Sequence, residues 1–121
     1  MKAGDVIKAY AAIGPLMEKE FTAQESYELI RLKRKLKAEA EIFSDHEKSI
    51  IDRYADKDEN GKVIIENGQF KVTGEYAEKF QRERKAMCDV DIAWDCGRIL
   101  IHAEKIKPAI MEALVEFIDF I

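Results

Sequence analysis

Residues 56 to 63, Asp-Lys-Asp-Glu-Asn-Gly-Lys-Val, have the side chains best suited to binding a cation. Oxygen-bearing side chains stand at alternate positions, and Gly61 would allow the sharp turn that a calcium-binding loop needs. The carboxylate that closes such a loop is missing, because Asn67 stands where it is required and Glu66 lies one residue early. We therefore favour a charged turn between a helix and a strand, with calcium binding through Asp56 to Gly61 as an alternative.

A histidine and a glutamate with the spacing of a zinc enzyme occur in His102-Ala103-Glu104. In zinc deaminases the histidine of this motif binds the metal and the glutamate transfers protons, but that family also needs a Pro-Cys-x-x-Cys segment. Both cysteines of this chain, Cys88 and Cys96, precede His102, and with His46 they lack the spacing of metal ligands. The sequence therefore predicts no metal site, no cofactor, no catalytic residues and no enzymatic activity.

The longest regular segment runs from Thr22 to Tyr54 without glycine or proline and predicts one helix about 50 Å long. Thr22 is a suitable N-cap, and Glu25 can complete a capping box with it. Apolar residues recur every seven positions in this segment, and we call this set the helix seam: Leu29, Leu36, Phe43 and Ile50. A narrow apolar seam of this kind requires a partner helix, from the same chain or from another molecule.

Shorter elements surround this helix. An amphipathic helix is predicted from Asp5 to Ile13, where Gly14-Pro15 ends or bends it. After the acidic turn, Asn67-Gly68 predicts a two-residue β-hairpin, and a second helix from Glu75 to Met87 would return along the first. The sequence therefore predicts a long antiparallel helical hairpin with a small β-hairpin at its tip.

The remainder of the chain predicts a second β-hairpin and a final helix. Residues 88 to 96 alternate between apolar and acidic side chains, which is typical of a half-buried strand, and residues 98 to 102 would form its partner. Pro108 suits the first turn of an apolar helix over residues 109 to 120. Together these elements predict an α+β fold in a single domain, residues 1 to 121.

Composition and charge limit the partners. The chain has 121 residues, 36% of them charged, and a net charge of −4, which argues against general nucleic-acid binding. One basic cluster occurs, and we interpret it as a solvated face paired with Glu39 and Glu41: Arg31, Lys33, Arg34, Lys35 and Lys37. No apolar run approaches the length of a membrane span, and the first residues lack the pattern of a signal peptide. We expect a cytoplasmic protein that binds neither nucleic acid nor a membrane.

Two resemblances suggest a role. The order of long helix, Asn67-Gly68 hairpin and returning helix resembles prefoldin-type chaperone subunits, which assemble through their hairpins and hold clients with their helix tips. The leading helix, the Tyr27 to Leu36 region, the acidic segment ending at Trp94 and residues 113 to 120 are similar to small proteins encoded among the structural genes of tailed phages and prophages of Gram-positive bacteria. The second resemblance implies a phage-related role, in tail assembly for example, in the bacterial host or on the virion.

These observations lead to one functional expectation. The chain should be a non-catalytic accessory protein that associates with itself or binds another protein, and the helix seam should supply its helix contacts. A chaperone-like adaptor and a calcium-binding module are the alternatives.

Overall fold

The computed structural model describes residues 1 to 121 and contains four helices and two short strand pairs, which confirms the predicted α+β class. In chain order the elements are α1 (Ala3–Met17), α2 (Ala23–Tyr54), β1 (Ile65–Glu66), β2 (Gln69–Phe70), α3 (Tyr76–Cys88), β3 (Ile99–Ile101), α4 (Pro108–Leu114) and β4 (Ile118–Phe120).

Helix α2 is continuous over 32 residues and begins at the predicted capping box. The backbone N–H of Glu25 donates to Thr22 Oγ1 at 3.2 Å, and the backbone N–H of Thr22 donates to Glu25 Oε1 at 3.2 Å. These two bonds satisfy donors that a helix N-terminus otherwise leaves unpaired, so the sequence fixes where α2 begins.

Two helices of the same chain cover α2, one on each half. Helix α1 packs on the first half, and α3 returns antiparallel along the second half, with the rings of Tyr54 and Tyr76 5.8 Å apart at the far end. The two covering helices meet near the middle of α2. There an added Cβ on Gly4 would lie 3.2 Å from Cys88 Cβ, so glycine permits the close approach.

The helix seam is therefore covered from within the chain. Leu29 and Leu36 are 1% and 0% exposed in a cluster with α1, and Ile50 is 2% exposed in a cluster with α3. Phe43 is half-buried against the second cluster, close to the point where the covering helices meet. The partner helices that the seam requires are α1 and α3, and three of its four side chains are inaccessible to another molecule.

Of the two outcomes that Gly14-Pro15 predicted for α1, an end or a bend, the helix does not end there but continues to Met17. Pro15 removes one N–H donor from the helix, and only Leu16 and Met17 follow it before the helix ends. Leu16, one position later, is fully buried in the core, and its burial favours continuing the helix. Tertiary packing thus outweighs the local signal.

The predicted strand over residues 88 to 96 is also wrong. Ile92 and Trp94 are half-buried against the core, as the alternation suggested, but the segment has no partner strand. Its backbone bonds instead to the start of the chain, where Ala3 N–H donates to the Val90 carbonyl at 2.9 Å and Ile92 N–H to the Met1 carbonyl at 2.6 Å. Alternating burial therefore reflects an extended segment lying on the core.

The second predicted hairpin is replaced by a parallel pair, in which β3 aligns with β4 and Ile99 lies opposite Ile118. Helix α4 consequently ends at Leu114 and does not reach residue 120. The Arg98 guanidinium donates to the Val115 and Ile118 carbonyls and binds Asp119 at 2.7 Å. These bonds satisfy carbonyls at the end of α4 and hold β4 beside β3.

The strands β1 and β2 pair antiparallel across Asn67-Gly68. Both turn residues have positive φ, 53° for Asn67 and 75° for Gly68, which is the backbone of a type I′ turn. This small sheet lies beyond the end of α2 and leads into α3.

Candidate functional site

An open groove with a volume of about 640 Å³ lies between α1 and α4. We call it the α1–α4 groove. Its lining residues come from positions 5 to 15 and 109 to 117: Asp5, Lys8, Ala11, Ala12, Pro15, Ala109, Ile110, Glu112, Ala113, Val115, Glu116 and Phe117. Four alanines keep the walls low, so another backbone could approach closely.

The charges in the α1–α4 groove are predominantly negative. Asp5, Glu112 and Glu116 contribute three carboxylates, and Lys8 is the single cation. None of these four side chains lies in an ion pair within the chain. An apolar base with an unneutralised acidic rim favours a ligand that combines apolar and basic groups.

Ala11 and Pro15 lie one turn apart on the α1 wall of the α1–α4 groove, and Ala11 is exposed. Pro15 has no N–H, so the carbonyl of Ala11 lacks the donor that the next helical turn normally supplies.

A second surface lies on α2, on the side that faces away from α1. Four exposed residues with spacings of three, four and seven define what we call the basic ridge: Tyr27, Ile30, Arg31 and Arg34. At about 3.6 residues per turn, this set lies roughly opposite the buried Leu29, Leu32 and Leu36, with Ile30 at its edge. The Arg31 guanidinium lies over the Tyr27 ring at 5.8 Å, and Tyr27 is 63% exposed.

The basic cluster around this ridge does not form the ion pairs with Glu39 and Glu41 that the sequence predicted. Lys35 and Lys37 form no ion pair with Glu39 or Glu41, and none of the cations from Arg31 to Lys37 lies within 4.0 Å of a carboxylate. Long side chains on a solvated helix lose entropy when they pair, which offsets most of the gain. The cations from Arg31 to Lys37 therefore remain without ion pairs around this part of α2, and Arg31 and Arg34 lie on the ridge with the exposed Tyr27.

Glu25 has a lowered pKa. The sequence predicted its capping role but not its hydrogen bond to His102. Its Oε1 accepts from the backbone N–H and hydroxyl of Thr22, and its Oε2 accepts from the His102 backbone N–H at 2.6 Å. His102 Nδ1 lies 3.4 Å from the same oxygen. The His102 hydrogen bond, followed by those from Thr22, lowers the pKa of Glu25 from its ordinary value of 4.5 to about 2. Glu25 thus joins the start of α2 to the end of β3.

This arrangement positions the backbone and does not assemble a reaction site. The oxygens of Glu25 are occupied by donors, and no cysteine, serine or second carboxylate is hydrogen-bonded to the pair. Glu104, the second residue of the zinc-like motif, is exposed and forms no ion pair. His102-Ala103-Glu104 therefore marks a structural junction in this fold.

The acidic turn also has a structural account. Asp58 Oδ1 accepts from the backbone N–H groups of Asn60 and Lys62, and Asp56 Oδ1 accepts from the N–H and hydroxyl of Thr73. Carboxylates of this kind stabilise turns by capping free donors. No group of three or more histidine, cysteine, aspartate or glutamate side chains is arranged to hold a metal ion. The geometry therefore gives the calcium alternative no support.

The α1–α4 groove was not predicted, because it arises from a contact between segments about 100 residues apart. The available signal was the unusually broad apolar surface predicted for the last helix, which must be covered or left open. No protein-family model matches the chain, and no curated protein or solved structure shows significant similarity to it. None of the four helices combines the length and apolarity that crossing a membrane would require.

Proposed function

We propose that the chain is a non-catalytic accessory protein that works by binding protein, either another copy of itself or a different partner. The α1–α4 groove carries this proposal, because it is an open, largely apolar surface with a charged rim. Interfaces of this composition are typical of protein recognition. The helix seam, Leu29, Leu36, Phe43 and Ile50, contributes by holding α1 and α3 in place.

The extent of the surface supports the same proposal. The chain exposes 8595 Å² and buries 17 of its 121 residues. A compact monomer of this mass would expose about 6,700 Å², so the excess is about 1,900 Å². A standard protein interface buries about 1,600 Å² counted over both partners. The chain therefore has enough uncovered surface to supply its share of more than one interface.

The setting that we propose follows from the resemblance to small phage and prophage proteins. An accessory protein of this kind would act in the bacterial cytoplasm or on the virion, beside the products of neighbouring structural genes. Its partners would be proteins, and neither nucleic acid nor a lipid surface is needed.

A groove-filling substitution tests the function. Ala113→Trp places a large ring in the α1–α4 groove, and we expect it to weaken protein binding at least about tenfold, since central interface contacts dominate affinity. The measurements are light scattering of the purified chain and co-purification with the products of adjacent genes. Ala86→Trp, on an exposed position of α3, is the matched control and should bind normally, because it lies outside the α1–α4 groove. A chain that is monomeric and binds no neighbouring product would contradict the proposal.

The chaperone-like alternative has one specific observation in its favour. Ile65, on the small β1–β2 sheet, is 66% exposed, and prefoldin-type subunits assemble through such hairpins. Only the second half of α2 and α3 enter into this likeness, because α1 covers the first half. Ile65→Lys would disrupt assembly through the hairpin and leave binding at the α1–α4 groove unchanged, so one pair of variants separates the two functions.

A further inference from the structure

The occupant of the α1–α4 groove can be specified from the rest of the chain. We propose that the groove binds the basic ridge of a second copy, so that copies associate head to tail. The inference rests on the proposed protein-binding function and identifies the partner. Its failure would leave binding of a different protein intact.

Charge complementarity is the first argument. Arg31 and Arg34 of the basic ridge have no acidic partner within the chain, and Asp5, Glu112 and Glu116 of the groove have no basic one. Opposite charges left unpaired on separate surfaces are brought together when one copy binds the next. The same charges oppose groove-to-groove and ridge-to-ridge contacts, because like charges would then face each other.

Shape and spacing form the second argument. A helix binding in a groove presents side chains at spacings of three, four and seven, which is the pattern of Tyr27, Ile30, Arg31 and Arg34. From Tyr27 to Arg34 the ridge is about 10 Å long, and the α1 wall from Asp5 to Pro15 is about 15 Å long. The ridge therefore fits within the groove along its whole length.

Each end of the ridge has a matching feature. Tyr27 and Ile30 are large, exposed apolar side chains, and the alanine-rich base of the groove offers them an apolar surface. A guanidinium has five N–H donors in a planar fork, so each ridge arginine can bind a rim carboxylate through two of them.

The two surfaces share no residue and face different sides of the molecule. The ridge faces away from α1, whereas the groove is formed by α1 itself with α4. One copy can therefore offer its ridge to a second copy while its groove accepts the ridge of a third. Such a heterologous contact extends until a ring closes or a filament grows. A copy within the series would cover about 1,600 Å² of its own surface, about 800 Å² at each end, which is close to its excess exposure.

Charge reversal tests this arrangement directly. The ridge variant is Arg31→Glu with Arg34→Glu, and the groove variant is Glu112→Lys with Glu116→Lys. The mass of each is followed by sedimentation velocity as concentration rises, at about 0.1 M salt. We expect the wild-type chain to grow beyond a dimer, and each variant alone to associate at least about tenfold more weakly.

The equimolar mixture of the two variants is the decisive sample. Each acidic ridge then meets a basic groove, and each basic ridge meets an acidic groove, so growth should return. Raising the salt to about 1 M should weaken association of the wild-type chain and of the mixture alike, because the screening length falls to about 3 Å. Failure of the mixture to recover would overturn the proposal.

Two control variants separate this contact from a general effect of net charge. Lys48→Glu with Lys62→Glu matches the charge of the ridge variant, and Glu59→Lys with Glu104→Lys matches that of the groove variant; all four positions are exposed and form no ion pair. Both controls should associate like the wild type. A wild-type chain that stays monomeric, or one that stops at a two-fold dimer, would overturn the head-to-tail contact. The dimer would still be consistent with the proposed function, and a monomer that binds an adjacent gene product would be too.

Discussion

The two halves of α2 carry the same seven-residue repeat but are covered to different depths. The first half of α2 forms a cluster of 11 buried residues with α1, β3, α4 and β4, which we call the core end. The second half forms a cluster of three buried residues, Ile50, Phe80 and Met87, which we call the distal end. Burial of apolar area supplies most of the stability of a fold, so the core end should hold the cooperative unit.

The comparison shows that a repeat in sequence does not determine how many elements pack against its side chains. Leu36 and Ile50 occupy equivalent positions in the helix seam, and both are buried. Leu36 belongs to a core with contributions from several elements, whereas Ile50 packs mainly against one returning helix. The periodicity predicts which side chains face inward, and the number of covering layers depends on segments elsewhere in the chain.

The largest expected effect comes from truncating one buried side chain at the core end and one at the distal end. Leu36→Ala should destabilise the whole chain by about 2–5 kcal/mol, because it leaves a cavity in the cooperative core. Phe80→Ala deletes a larger side chain, but its effect should remain within residues 44 to 90. Hydrogen exchange of both variants measures which residues lose protection. Urea unfolding measures the change in the free energy of global unfolding.

The outcomes of these two substitutions would sharpen or break the comparison. Protection of residues 23 to 40 should fall in Leu36→Ala and be retained in Phe80→Ala. If Phe80→Ala instead reduces protection equally along all of α2, the long helix couples both ends, and the division that we describe does not exist.

An effect confined to the core end is expected from Glu25. Because its pKa is lowered from 4.5 to about 2, the folded state favours the carboxylate, and this stability is fully present above pH 4.5. It should be lost as the pH falls from about 4.5 towards 2, when the carboxylate is protonated and its bonds to Thr22 and His102 weaken. This loss should appear at the core end, where Glu25 bonds to Thr22 and His102.

Glu25→Gln removes the charge and one of the two acceptor oxygens, while glutamine can still complete a capping box with Thr22. The variant should be less stable than the wild type at pH 7 and should approach it near pH 2. Urea unfolding at a series of pH values measures both. An unchanged acid profile in Glu25→Gln would show that Glu25 does not tie α2 to β3.

The smallest effects are expected where the two ends meet. Gly4→Val should destabilise by about 1–3 kcal/mol, because its side chain would push against Cys88, whose Cβ lies 3.2 Å from the position of an added Cβ. Gly14→Ala is the matched control in the same helix, since apart from its chain neighbours no atom lies within 4 Å of its added Cβ. It should change stability by less than about 1 kcal/mol, because the gain in helix propensity is opposed by the steric restriction that Pro15 places on the residue before it. Thermal unfolding distinguishes the two, and equal shifts would mean that the junction is not tightly packed.

Local signals in the sequence were enough to predict α2 and the turn at Asn67-Gly68. Thr22 and Glu25 form the capping box, and Asn67 and Gly68 adopt the positive φ values that this residue pair favours. In both cases the determining atoms lie within a few residues of each other. Such features can be predicted without knowing the rest of the fold.

The features that the sequence did not predict depend on distant segments. Residues 88 to 96 alternate like a strand but lie extended on the core, because the backbone available to them is that of Met1 and Ala3. The hydrogen bond from His102 to Glu25 spans 77 residues, and no local pattern indicates it. The α1–α4 groove has the same origin, so the candidate site could be predicted only as a broad apolar helix that needed a partner.

The position in the chain of the segments that cover α2 has a consequence for folding during synthesis. Helices α1 and α2 leave the ribosome first, but their cover of β3, α4 and β4 is not translated until residues 99 to 120 are made. The pair formed by α2 and α3 closes over about 30 residues, as in the bond from Tyr54 to Glu83, and can form earlier. The distal end of the molecule can thus be complete before the core end, while the apolar surface of the α1–α2 pair that β3, α4 and β4 cover remains exposed.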